Sequence, residues 1–236
     1  MNDDLVMTRE YERVKESLSH VYWIGGGAAA GKTTISRRLC EELGFRRWSG
    51  DARWIEHWQT ATPETNPIAH RIGSTMRHGG SFDWFYGRSG QAIADDYIRM
   101  ARAEFEVAVD ELIQMSADSP IVVDAFLGFP ELIFNVSRPE RAVFLTCTDG
   151  FMRETWKRRT TEGRPDFLPI LRRHLDACSD PQCALHNFIE SNIIESRFVA
   201  DDCLREEAAL IVTGGSIGID EAYFAVRRHL GLEASV

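Results

Sequence analysis

Residues 21–34 read VYWIGGGAAAGKTT, and the order of residue types in this stretch decides the fold. The apolar run Val21 to Ile24 ends at Gly25. It is followed by G-x-x-x-x-G-K-T, with Gly26, Gly31, Lys32 and Thr33 at the fixed positions. The next residues, Ile35 to Leu43, read as a helix. Strand, glycine loop and helix in that order form the context in which this motif holds phosphate. Gly26, Gly27 and Gly31 permit backbone angles that a side chain forbids. Ala28, Ala29 and Ala30 are small and keep the loop tight, so that its N–H groups turn inward as a nest for an anion. The helix beginning near Lys32, with Thr33 and Thr34 in its first turn, adds its positive dipole end at the same point. Lys32 is expected to reach the β- and γ-phosphates, and the Thr33 hydroxyl to take one position on Mg²⁺. The plainer alternative is a glycine turn between strand and helix, which four matched positions in context outweigh.

Of 27 basic residues 24 are Arg, and only Lys15, Lys32 and Lys157 are Lys. Such a bias reflects genome composition more than mechanism. Yet a chain that uses Arg almost everywhere has Lys at 32, where a compact ammonium meets phosphate as a point charge.

The 236 residues suit one α/β domain. No apolar run approaches the ~20 residues of a membrane span. The start, MNDDLVMTRE, is acidic and lacks a hydrophobic signal core, so a cytoplasmic protein is expected. A net charge of −9 argues against nonspecific nucleic-acid binding, which needs a basic footprint. Five Cys, an odd number without a C-x-x-C pair, suit reduced thiols. His174, Cys178, Cys183 and His186 are four ligand-type side chains close in sequence. Their spacing, H-x3-C-x4-C-x2-H, matches no common zinc pattern, and packing around a turn between two helices is the favoured reading.

Strands are expected at 20–25, 45–49, 120–125, 141–147 and 208–213, with helices up to Leu43, over 91–116 and over 220–230. Alternating strands and helices predict an α/β fold, a three-layer α/β/α sandwich with a mainly parallel five-stranded sheet and a helical lid. Residues 18–50 and 119–149 supply the core sheet and phosphate loop of this single domain. Residues 52–118 form the expected acceptor-binding region, with 52–90 aromatic and irregular apart from short helices. Residues 150–206 form the helical lid region, and 207–236 the last strand and helix.

Asp51 follows strand two and so lies at a carboxyl end of the sheet, where open α/β sheets bind ligands. A carboxylate beside the γ-phosphate can accept a hydroxyl proton or orient the acceptor. Its plainer role is a helix N-cap. Asp124 closes the strand IVVD, the position from which a carboxylate holds Mg²⁺ directly or through water. Its plainer role is to cap the turn. The next residue is Ala125 rather than the Glu with which a motor-type ATPase activates water, and no N/T-K-x-D motif is present. Both absences favour transfer to a bound acceptor over hydrolysis. After the strand AVFLTC, residues Arg153, Lys157, Arg158, Arg159 and Arg164 form a basic patch in an acidic chain. Arginines on a mobile lid stabilise the charge that phosphoryl transfer spreads over the equatorial oxygens. Arg153 and Arg159 are the catalytic candidates, and Arg158 and Arg164 candidates for the nucleotide phosphates. Trp54, Trp58, Phe82, Trp84, Phe85 and Tyr86 are concentrated near Arg53, Arg71, Arg77 and Arg88. Aromatic faces suit a sugar or planar acceptor and the arginines an anionic group, but core packing is the stronger reading of the aromatics.

GGAAAGKTT, Asp51 after strand two, VVDA at a later strand and the Arg-rich segment together resemble the P-loop kinases. The likeness is nearest to the nucleoside/nucleotide-kinase-like branch that includes shikimate kinase, adenylylsulfate kinase and chloramphenicol phosphotransferase. It covers about residues 20–165 and a final strand and helix, where Thr213 and Gly214 of IVTGGS resemble the loop bordering the adenine. Only the phosphate loop is a specific match; the rest agrees by position. The resemblance implies ATP and Mg²⁺, with transfer of the γ-phosphate to a hydroxyl of a small molecule. In that branch the strand-two acid binds or activates the acceptor and the arginine lid closes over ATP. The implied partner is a small-molecule acceptor, with no nucleic acid and no membrane; a homodimer is admitted but not required. The alternative is a nucleotide-gated ATPase, switch or binding module without an acceptor.

Overall fold

Five short segments, four of them largely apolar, pair into one sheet in the computed structural model, which describes residues 11–124, 128–162 and 168–233. They are β1 (Val21–Gly26), β2 (Arg46–Ser49), β3 (Ile121–Asp124), β4 (Ala142–Cys147) and β5 (Leu210–Thr213). All pairings are parallel, in the order β2-β3-β1-β4-β5. Every residue of β3 and β4 is buried, as expected of strands covered on both faces. The edge strands β2 and β5 are partly exposed. In register, Ile24 and Ser49 flank Asp124, so β1, β2 and β3 end at one level.

The helices are α1 (Lys32–Leu43), α2 (Gly50–Thr60), α3 (Pro67–His78), α4 (Asp83–Tyr86), α5 (Gly90–Gln114), α6 (Pro130–Ile133), α7 (Asp149–Glu162), α8 (Leu168–Asp176), α9 (Pro181–Arg205) and α10 (Ile219–His229). The chain steps from β1 across to β2 at one edge, then returns through β3 toward β4 and β5. Right-handed crossovers therefore put α1 on one face and the β2–β3, β3–β4 and β4–β5 helices on the other. On the α1 face, Arg38 pairs with Asp220 of α10 at 2.7 Å, and Arg227 of α10 with Glu42 at 2.9 Å. On the opposite face, α5 and α9 run against each other, and α9 also packs on β1 and β4.

Two expectations change. Residues 52–90, read as irregular with short helices, are mostly helical. Asn66 caps α3 by accepting from the Ala69 N–H at 3.1 Å, with Pro67 in the first turn. The aromatics here have low helix propensity, and their burial overrides it. Trp58 and Phe85 are fully buried, and Trp54 and Trp58 pack with centroids 5.2 Å apart. Second, α9 falls in the stretch read as lid, but Ala184, Phe188, Ile193 and Val199 bury it as a core helix. Among the described residues no group of metal ligands forms. His174 stacks on Phe82 at 4.0 Å, and burial pushes its pKa down to about 4. Cys178 is buried beside it, whereas Cys183 and His186 are exposed. No helix among the described residues is long and apolar enough to cross a membrane.

Candidate active site

The phosphate loop leaves β1 between strands whose onward connections lead to opposite faces, the crevice where open parallel sheets bind ligands. Gly26 has φ +119°, and a Cβ there would lie 1.9 Å from the Leu145 carbonyl oxygen. The sequence reading gives Gly26 and Gly27 to the phosphate nest. Their N–H groups are committed to the sheet instead, donating to Gly128 at 2.8 Å and Leu145 at 2.9 Å. The nest lies further on. Ala29 (φ 60°) and Gly31 (φ 94°) are left-handed on either side of Ala30. A non-glycine residue at positive φ costs about 1–2 kcal/mol, so the rest of the fold must over-determine Ala29. Gly31 is the N-cap of α1 and offers no side-chain cap, and the first turn carries no acid. The first closing bond of the helix is Ile35 N–H to Gly31 carbonyl at 3.0 Å. The N–H groups of Lys32, Thr33 and Thr34 precede it, the end donors that a helix leaves for an external acceptor.

Lys32 is buried and donates to the Gly27 carbonyl at 2.7 Å. Burial pushes its ammonium pKa down, while Asp124 and Asp51 hold it up. Asp124, at the end of β3, accepts from Arg47 at 2.7 Å and from the Ser36 hydroxyl at 3.3 Å. Arg47 also donates to Ser36 at 3.0 Å. Sequence reasoning singled out neither Arg47 nor Ser36; the only signal was a basic residue inside a strand that ends beside Asp124. Asp51 stands in the first turn of α2, whose N-cap is Ser49 rather than Asp51. Burial raises the Asp51 pKa and Asp124 raises it further, against Lys32, Arg47 and Arg159.

These groups surround a cavity of about 130 Å³. Ala28 to Thr34 form one wall, and Asp51 and Arg159 also line it. Asp124 is not among the lining residues, although its charge reaches both Lys32 and Asp51. The structure separates the other arginine candidates. Arg153 is exposed and forked onto Glu190 of α9, with one contact of 3.1 Å, away from the cavity. Arg158 is exposed and does not line the cavity; Arg164 and Ala125 lie outside the described residues. Arg159 is half-buried, its guanidinium 5.0 Å from the centre of the Trp156 ring. Thr213 and Gly214 do not line the cavity either. Thr213 is buried beneath the loop, its hydroxyl 3.2 Å from the carbonyls of Ala30 and Thr146. The Gly214 carbonyl accepts from Thr148 at 3.1 Å.

The remaining wall was not foreseen. Tyr97 comes from α5, Trp156 from α7, and Phe188, Asn192 and Glu195 from α9. The three α9 residues follow i, i+4, i+7 spacing and so share one helix face. A Glu and an Asn on an otherwise buried face were the available signal.

No family model matches the chain, and no curated protein is detectably similar to it. Among solved structures, shikimate kinase from Acinetobacter baumannii in complex with shikimate is similar at 16% identity, with 90% of each chain covered and a TM-score of 0.39. A candidate kinase from Chloroflexus aurantiacus is similar at 16% identity, with 89% of this chain and 97% of that chain covered and a TM-score of 0.37. Likenesses this distant bear on neither activity nor substrate, which rest on the site itself.

The residues present fit a Mg·nucleotide. Unfilled N–H donors stand at the start of α1, beside a buried lysine and the hydroxyl of Thr33. A hydroxyl and a carboxylate are the hard oxygen ligands that Mg²⁺ takes.

Proposed function

We infer that the protein is an ATP-dependent phosphotransferase that moves the γ-phosphate of Mg·ATP to a hydroxyl of a small molecule. The observation that supports it is convergence: the phosphate loop, Asp51 and Arg159 come from separate parts of the chain and line one cavity. The N–H groups of the loop and of the first turn of α1 would cradle the phosphates, and Lys32 would neutralise the β- and γ-oxygens. Lys32 must then exchange the Gly27 carbonyl for phosphate, a short swing within the loop. Thr33 and Asp124 would hold Mg²⁺, whose charge offsets that of the phosphates. Arg47 and Ser36 fix the Asp124 carboxylate. Asp51 would orient the acceptor hydroxyl in line and receive its proton, a role that its raised pKa favours. Arg159 would stabilise charge on the transferring group.

Measuring ADP release with and without acceptor tests this reading. Lys32→Ala is expected to lower acceptor-dependent turnover by at least ~10²-fold. Asp51→Asn is expected to lower kcat by about 10²-fold with little change in nucleotide affinity. ADP release that ignores every acceptor and survives Asp51→Asn would instead identify a hydrolytic switch.

A further inference from the structure

Glu195 has no part in phosphate chemistry, yet it lines the same cavity. It is 2% exposed, and its Oε1 has no hydrogen-bond partner among the described residues. Trp156, on the same cavity, is 3% exposed, and its indole N–H is likewise without a partner. Leaving buried polar groups unsatisfied costs about 1–3 kcal/mol each, and native proteins retain few of them. Here one acceptor and one donor are left so among the residues lining one cavity, which Phe188 and the hydroxyl-bearing Tyr97 also line. A hydroxyl group answers both needs, because it donates through hydrogen and accepts through oxygen.

We propose that Glu195 and Trp156 form the acceptor subsite of this cavity, and that the subsite takes an uncharged polyhydroxyl compound in preference to a carboxylate or phosphate ester. The inference rests on the phosphotransferase reading and names its substrate class. Among the described residues lining the cavity, the basic ones are Lys32 and Arg159, both needed for phosphate, and the acidic ones are Asp51 and Glu195. An anionic acceptor finds no spare cation among these residues. The arginines of residues 52–90, which the sequence reading offered to an anion, are engaged elsewhere. Arg71 lies 4.0 Å over the Trp84 ring, Arg77 donates to the Gln59 carbonyl at 3.0 Å, Arg88 pairs with Asp96, and Arg53 pairs with Glu56 at 2.8 Å. Burial holds the Glu195 pKa well above the usual carboxylate range, against Ser191 and Lys32. A carboxyl held toward its neutral form can donate as well as accept, which suits a neutral polyol better than an anion. The aromatic rings supply the flat apolar faces against which a sugar or cyclitol packs.

The test uses the full chain loaded with Mg²⁺ and a non-hydrolysable ATP analogue. Probes are D-ribose, D-glucose and myo-inositol, set against ribose 5-phosphate, gluconate and quinate. Binding is read by thermal shift and intrinsic tryptophan fluorescence, and turnover with ATP by ADP release. At least one uncharged probe is expected to bind more tightly than every anionic probe. Glu195→Ala is expected to raise its KM by about tenfold while kcat changes less. Glu195→Gln, which preserves shape and one donor–acceptor pair, is expected to stay within about threefold of wild type. Preference for an anion, no binding by any uncharged probe, or a KM untouched by Glu195→Ala in a folded protein overturns the assignment. Binding of the polyol without ADP release would count against phosphotransfer and leave the subsite standing.

Discussion

At the scale of single residues, the Arg47–Asp124 pair shows how a site carboxylate is held. The Asp124 side chain is 5% exposed and Arg47 23%, and the two meet at 2.7 Å. Removing one partner leaves the other charge buried alone, which costs more than the pair itself contributes. Arg47→Ala is expected to destabilise the fold by roughly 2 kcal/mol and to weaken Mg²⁺-dependent nucleotide binding. Urea unfolding and a nucleotide titration check the two effects separately. The contrast in what was legible is sharpest here. Lys32 is readable because its neighbours in space are its neighbours in sequence. Arg47 is not, because its significance depends on register: β2 pairs with β3 so that Ser49 stands beside Asp124. Glu195 is hidden for the same reason, since one helix face reaches the loop only once the sheet has formed.

At the scale of elements, α2 carries Asp51 and must be held at a fixed angle. A polar cluster fastens it to α5. The His57 ring lies between two carboxylates, Nδ1 at 2.7 Å from Glu104 and Nε2 at 3.2 Å from Glu111. Asn66 donates to Glu104 at 3.2 Å, Trp48 to Glu111 at 3.2 Å, and Arg53 lies 3.6 Å from Glu111. The hydrogen bond to Glu104 chiefly raises the His57 pKa above 6.5, against desolvation. A raised histidine pKa means that the folded state holds the proton more tightly than the unfolded state. Its stabilisation is therefore complete below pH 6.5 and is lost as pH climbs through the folded value. His57→Gln is expected to flatten this decline in a pH series of denaturant melts. It is also expected to lower kcat less above the raised folded pKa than below it, because the wild-type clasp has loosened there as well. Four of the strands were legible because β1, β3, β4 and β5 are short, largely apolar runs. Short helices were expected in 52–90, but their extent was not legible, because buried aromatics mask helical periodicity until their packing partners are known.

At the scale of the whole molecule, the loop and the long helix α9 touch at one point that tolerates no side chain. A Cβ on Gly27 would stand 2.6 Å from the Ser196 hydroxyl and 2.9 Å from its Cβ. Gly27→Ala is expected to cost about 1–3 kcal/mol of stability, and Ser196→Gly in the same chain to recover part of it. A double-mutant cycle of melting free energies would then give a favourable coupling of about 1 kcal/mol. The parallel pairing of the sheet and the placing of Asp51 at its carboxyl end follow from the β-α alternation that the sequence displays. The use of α9 as a wall of the cavity does not, because its charged exposed face reads as lid while its buried face reads as core. That double duty constrains how the molecule can change by descent. Phe188, Asn192 and Glu195 face the cavity from the same buried side of the helix that carries Ala184 and Val199 of the core. A lineage that alters its acceptor by substitution on α9 must repack its own interior at the same time. New specificity should therefore arise first on the α2 side of the cavity, where Asp51 is only partly buried, with α9 the last wall to drift.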